Sequence, residues 1–142
     1  MKLKNLVSIL VIVITMVTIS TSCIKCDEED PPVVESREKF IGNYDVKDTS
    51  YNVNSGYLYG SYVMVIKKEP TDTTKIILTN LNNQGEETTA AVSGNIFVIT
   101  KQPLTTSYEV SGTGEIEGSK LTFDLTLHCY EARDLTGVGI KK

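Results

Sequence analysis

The sequence predicts an all-β domain: an antiparallel meander of seven or eight strands forming a small barrel, with a two-sheet β-sandwich as the alternative. Three observations predict it. From about Arg37 onwards, β-branched and aromatic residues recur in short runs, with turn residues about every 8–12 positions. No window beyond residue 22 sets apolar residues at 3.6-residue spacing over about eleven positions, as an amphipathic helix requires. No repeat of about 20–50 residues is present, which argues against solenoids and propellers. The roughly 105 residues of this region can bury on the order of two thirds of their surface, enough for a self-standing core. Closure removes exposed sheet edges, and that favours the barrel.

The first element is a leader at residues 1–22. Lys2 and Lys4 form a positive start, Leu6 to Ile19 is an apolar run of 14 residues, and Ser20-Thr21-Ser22 supplies small residues before Cys23. This is the layout of a secretory signal, and the run is shorter than the ~20 apolar residues of a membrane span. Ile19-Ser20-Thr21-Ser22-Cys23 resembles the lipobox of bacterial lipoproteins, in an S-C form typical of Bacteroidetes-type bacteria, with Ser20 where Leu is usual. The resemblance implies that Cys23 becomes the mature N-terminus and carries a diacylglyceryl thioether and an amide-linked acyl chain. Two or three chains hold a protein stably at a membrane where one does not.

Residues 23–36 read as an acidic tether, stiffened by Pro31-Pro32. Cys23 and Cys26 have the C-x-x-C spacing, but a redox pair needs its first cysteine at a helix start within a βαβ unit. Asp27-Glu28-Glu29-Asp30-Pro31 follows instead. A structural zinc site needs four ligands, and there is no second C-x-x-C. Lys25 followed by Asp27, Glu28, Glu29 and Asp30 resembles the acidic export signal that carries such lipoproteins to the cell surface. The plainer reading is a solvated charge run. The expected location is the outer membrane facing the exterior, with its periplasmic face as the alternative. The formal charge is −4, and without Lys2 and Lys4 the 14 basic side chains become 12 against 18 acidic ones, a formal −6. A chain of that sign gains nothing by releasing counterions from DNA or RNA, so nucleic acid is not expected as a partner.

The domain, residues 37–142, follows as strands. Phe40 to Lys47 alternates Phe40, Gly42, Tyr44 and Val46 on one face, and Asp48 to Gly56 reads as the loop after it. Tyr57 to Lys68 is a long strand ended by Pro70, and Thr74 to Leu81 is the next, with its turn at Asn82-Asn83-Gln84-Gly85. Thr88 to Val92 and Asn95 to Thr100 pair across Ser93-Gly94, a tight hairpin signal. Tyr108 to Ile116 and Leu121 to His128 pair across Glu117-Gly118-Ser119-Lys120. A last strand, roughly Tyr130 to Ile140, is interrupted by Gly137 and Gly139.

Several of these runs together carry a family resemblance. They are Lys39 to Val46 (KFIGNYDV), Tyr62 to Ile66, Thr73 to Leu78, Ala91 to Ile96, and Ser111 to Phe123 (SGTGEIEGSKLTF). The domain is similar to the small lipocalin-like lipoproteins of Bacteroidetes-type genomes. The resemblance implies a lipocalin-like barrel and brings no biochemical activity with it.

The residues that could carry chemistry read as structural. Ser111 to Lys120 has three glycines and a lysine, but a P-loop needs Lys-Ser/Thr straight after its second glycine and a helix beyond. His128 and Cys129 are strand neighbours and point to opposite faces, so they are not a nucleophile pair. No G-x-S-x-G elbow is present, although spacing does not rule out a dispersed Ser-His-Asp set. Glu115 and Glu117 share one strand face, whereas glycosidase carboxyls face each other across a cleft. Cys129 has Cys26 as a partner for a disulfide in an oxidising compartment, with a strand thiol as the alternative. The sequence implies no catalytic residues, no metal and no cofactor.

The most informative stretch is Tyr51 to Ile66 (YNVNSGYLYGSYVMVI), which holds Tyr51, Tyr57, Tyr59 and Tyr62. In an unbroken strand Tyr57, Tyr59, Val63 and Val65 share one face, while Leu58, Tyr62, Met64 and Ile66 share the other, leaving one apolar face surplus. A bulge at Gly60-Ser61 would instead shift the phase and put Tyr59 and Tyr62 in a normal core or on its rim. The expected function is a non-catalytic, membrane-anchored binding module that holds a glycan, peptide or envelope protein through Tyr51, Tyr57 and Tyr59. The alternative is a carrier of a small apolar ligand inside the barrel. A third reading, an envelope enzyme, requires a cleft that holds His128 with a nucleophile or carboxylate.

Overall fold

A computed structural model describes residues 35–52, 56–130 and 132–142. The leader, Cys23, Cys26 and the run 25–30 lie outside the described residues. Eight strands follow in order: β1 (Gly42–Asn52), β2 (Gly56–Lys68), β3 (Lys75–Thr79), β4 (Glu87–Ser93), β5 (Ile96–Pro103), β6 (Glu109–Glu117), β7 (Lys120–His128) and β8 (Arg133–Lys141). Each pairs antiparallel with the next, and β8 returns to β1, so the sheet is a closed barrel and not a sandwich. The geometry is that of a small lipocalin-like barrel.

Local chemistry sets the turns. The β4–β5 and β6–β7 connections are two residues long and begin with Gly94 and Gly118, both at φ near +60°. A Gly-first two-residue loop is the type II′ arrangement, whose twist matches that of the flanking strands. The β3–β4 loop places Asn80, Asn82 and Asn83 in the left-handed region, which asparagine tolerates better than most residues. Asn80 also ties the loop down: its side chain accepts from Gly85 N–H at 2.8 Å and donates to Val63 C=O at 2.9 Å.

Inside, large and absent side chains alternate around the wall. Phe97 stands opposite Gly114, Gly114 opposite Phe123, and Phe123 opposite Gly137. The same row continues through Asp48 to Gly60. A Cβ at Gly114 would run into the Phe97 ring, and one at Gly137 into the Phe123 ring. Each phenylalanine lies over the bare backbone of a neighbour, which is how a narrow barrel accommodates aromatic rings. Gly137 and Gly139 therefore do not interrupt β8; they make room for Phe123 and for Tyr44.

One end of the barrel is plugged. A 3₁₀ turn, Glu38–Phe40, inserts Phe40 edge-on against Phe97, with ring centroids 6.1 Å apart. The buried Tyr44 hydroxyl donates to Phe40 C=O at 2.7 Å. Arg37 reaches under this end, and its Nη1 donates to the carbonyls of Glu69 (2.9 Å), Asp72 (3.0 Å) and Lys75 (3.3 Å) in the β2–β3 turn. Its Nε pairs with Glu35 at 2.6 Å, and Glu35 also pairs with Lys68, so residue 35 already belongs to the folded part.

Four sequence expectations need correction. Phe40 is the plug and lies outside the first strand, which starts at Gly42 and continues through Asp48 to Asn52, where a loop was expected. Leu81 leaves the third strand to begin a second 3₁₀ turn, Leu81–Asn83, because Asn80 breaks the strand with its positive φ. Gly60-Ser61 is not a bulge, since the β1–β2 register is unbroken from Gly42↔Ile66 to Asn52↔Gly56. The irregularity is in β5, between Ile99 and Gln102. There β4 and β5 part after three residue pairs, and the Gln102 amide fills the gap by bonding Thr89 N–H (3.3 Å) and C=O (2.7 Å).

Candidate functional site

The β1–β2 hairpin outgrows its neighbours at the end opposite the plug. It is registered over eleven pairs, yet β3 meets β2 only at Val65 to Lys68. From Gly56 to Met64, β1 is the only strand paired with β2 among the described residues. With no bulge to shift the phase, odd-numbered residues of β2 point outwards. Tyr59 is 80% exposed, Tyr57 64% and Tyr51, directly opposite Tyr57, 48%. The rings of Tyr51 and Tyr57 lie 5.1 Å apart at 58°, a cross-strand aromatic pair. Val63 continues the stripe on β2, and Val138 and Ile140 extend it across β1 onto β8, all three exposed. The surplus apolar face of the sequence is thus the outer surface of the hairpin.

Its inner surface lines the open end of the barrel. Asp48, Ser50, Leu58, Gln84, Leu127 and Arg133 are among the residues around a cavity of about 220 Å³. Asp48 is 6% exposed. The carboxylate is seated over Gly60, where any Cβ would collide with Oδ1. The Tyr62 hydroxyl and Gly60 N–H hydrogen-bond to it, but burial outweighs them and raises the Asp48 pKa above the usual carboxylate value. Burial and the facing Asp48 push the Tyr62 hydroxyl well above its ordinary range. That hydroxyl in turn accepts from Asn82 N–H at 2.9 Å, which fastens the β3–β4 loop to the cavity wall. Leu81, at the head of this loop, is fully buried.

A second polar arrangement lies on the outer wall. Ser111 Oγ and His128 Nε2 are 2.8 Å apart, across β6 and β7, beside a shallow depression that His128 and Cys129 help to line. Glu109 stands opposite His128 in the ladder, but its carboxylate is bound by Lys101 at 2.8 Å, and that hydrogen bond lowers its pKa. A triad needs the acid on the imidazole and a developing oxyanion facing spare N–H donors. Here the acid is engaged elsewhere and the serine stands mid-strand. The pair is a cross-strand hydrogen bond on the barrel wall.

The other flagged positions are dispersed. Glu115 and Glu117 both point to solvent from β6, and Ser111 to Lys120 is the β6–β7 hairpin with its approach. Cys129 is half-buried in the β7–β8 connection, and its proposed partner Cys26 lies outside the described residues. Sequence reasoning found the three tyrosines but missed Asp48, Arg133 and the Ser111–His128 contact. Asp48 had one signal, its alternation with Tyr44 and Val46 once β1 is extended. Compared with protein-family models, curated proteins and solved structures, the chain matches none.

Proposed function

We propose that this chain is a lipid-anchored lipoprotein of the outer membrane, of the small lipocalin-like kind, that works outside the cell as a non-catalytic binding module. Cys23 carries the acyl chains, residues 25–30 carry the address, and the barrel displays the hairpin. The observation that supports binding through the hairpin is the exposure of Tyr51, Tyr57 and Tyr59 on one outer face. Large aromatic rings left in water cost burial energy of about 25 cal/mol per Å² of apolar surface, and a partner that covers them recovers it. Tyrosine suits a glycan or a peptide because the ring stacks and the hydroxyl bonds at a wet rim.

The test is binding of the full chain to glycan and peptide arrays, with Tyr57→Ala/Tyr59→Ala as the comparison. The double substitution should abolish array binding while circular dichroism stays that of the native barrel, because both rings lie outside the core. Binding that persists in the variant, or no bound glycan or peptide with the native chain, overturns the reading. An apolar carrier role has less support: the plugged half is filled by side chains, and the remaining cavity is small and partly polar.

A further inference from the structure

Two side chains of opposite charge face the cavity at the open end, and each keeps a hydrogen-bonding atom that no protein group answers. On Asp48, the hydroxyl of Tyr62 and the N–H of Gly60 engage the carboxylate, while the buried Oδ2 meets no protein donor. On Arg133, the buried Nε–H meets no protein acceptor. The two are not paired with each other, since none of the ion pairs among the described residues joins them. A buried charge without a partner is costly, and the cost falls only when an opposite charge or strong hydrogen bonds arrive. Here the mouth holds one unanswered acceptor on a buried carboxyl and one unanswered donor on a half-buried guanidinium.

We propose that the mouth of the barrel binds a small zwitterion of the free α-amino acid class, its ammonium on Asp48 and its carboxylate on Arg133. Size supports this class. A cavity of about 220 Å³ is below the roughly 300–1,000 Å³ of sites for drug-sized ligands, and a long acyl chain does not fit beside a filled core. Charge supports it further. A fatty acid would answer Arg133 and leave Asp48 unpaired, and a neutral sugar would bring no countercharge to either. The guanidinium is the side chain best matched to a carboxylate, since its planar fork donates along parallel lines. Leu58 on β2 and Leu127 on β7, both in the lining, provide apolar cover for a side-chain stem. This site is on the inner face of the hairpin, and of the three exposed tyrosines only Tyr59 reaches its rim.

Isothermal titration calorimetry of the full chain in detergent against each of the twenty L-amino acids tests the proposal, with glucose and palmitate as comparators. At least one amino acid should give a saturable heat. Asp48→Asn and Arg133→Gln should each weaken it tenfold or more, and Glu117→Gln, which points to solvent from β6 and is outside the cavity, should leave it unchanged within twofold. Should Asp48→Asn fail to fold, Arg133→Gln decides alone. No saturable heat with any amino acid, glucose or palmitate binding in their place, or undiminished affinity in the variants would each overturn the proposal.

Discussion

At the scale of single residues, Asp48 makes the sharpest statement. Its carboxyl is held inside a wall that favours the neutral form, so its folded pKa lies above the unfolded value of 3.8. For an acid shifted in that direction, the ionised form is better solvated in the unfolded chain. The charge therefore costs stability at pH values above the folded pKa, and the cost disappears as pH falls through it towards 3.8. Asp48→Asn removes the charge and keeps the shape and an acceptor for Gly60 and Tyr62. Thermal melts should show the variant a few °C more stable than the native chain at pH 7, with the difference closing at pH 4. A domain of this size shifts about 4–8 °C per kcal/mol. An equal loss of stability at both pH values would contradict the account. The sequence alone could not show this, because the residue lay in what read as a loop, and only the extension of β1 to Asn52 turns it inwards.

At the scale of elements, the wall is built by cross-strand pairing of phenylalanine with glycine. Gly137→Ala places a methyl group where the Phe123 ring lies, 2.1 Å from its nearest atom, whereas Gly139→Ala comes to 3.3 Å from Tyr44, a tight contact that a shift of a few tenths of an ångström relieves. Overpacking of this kind costs about 1–3 kcal/mol. Chemical denaturation should therefore rank Gly137→Ala clearly below Gly139→Ala, and the reverse order would refute the packing argument. These two glycines show what a one-dimensional reading can reach. Strand number, order and hairpin turns were legible because period-two alternation and Gly-first turns are local signals. The role of Gly137 was not, because its reason is a ring on β7, and the same holds for Phe40, whose partner Phe97 is on β5. The tyrosine stripe was legible as a surplus of apolar faces. Which face was surplus depended on the absence of a bulge at Gly60-Ser61, and that absence serves to seat Asp48 over Gly60.

At the scale of the whole molecule, the two ends of the described barrel differ. The described domain supplies a filled, plugged barrel with one open end, and Arg37 fastens residues 35–40 under the closed end. Residue 35 therefore lies at the plugged end, and the hairpin with Tyr57 and Tyr59 stands at the opposite end of the barrel. If residues 27–30 are the address, replacing Asp27, Glu28, Glu29 and Asp30 by alanine should protect the chain from protease added to whole cells. The barrel itself should be unaffected. Equal cleavage of native and substituted chains would remove the surface assignment and leave the fold argument standing.

The closure of the barrel also imposes an order in time. Seven of the strand contacts join neighbours in sequence, but the eighth joins β1 to β8, with Tyr44 opposite Lys141 and Ser50 opposite Leu135. Those partners are roughly ninety residues apart, so the entropy of bringing them together falls on the last step, after the local hairpins have formed. The first strand cannot gain its second partner until the nine residues of β8 are available to pair. Until then β1 has hairpin pairing on one side only, and the barrel stays open. The same seam that finishes the fold keeps the barrel unfinished until β8 is free to pair with β1.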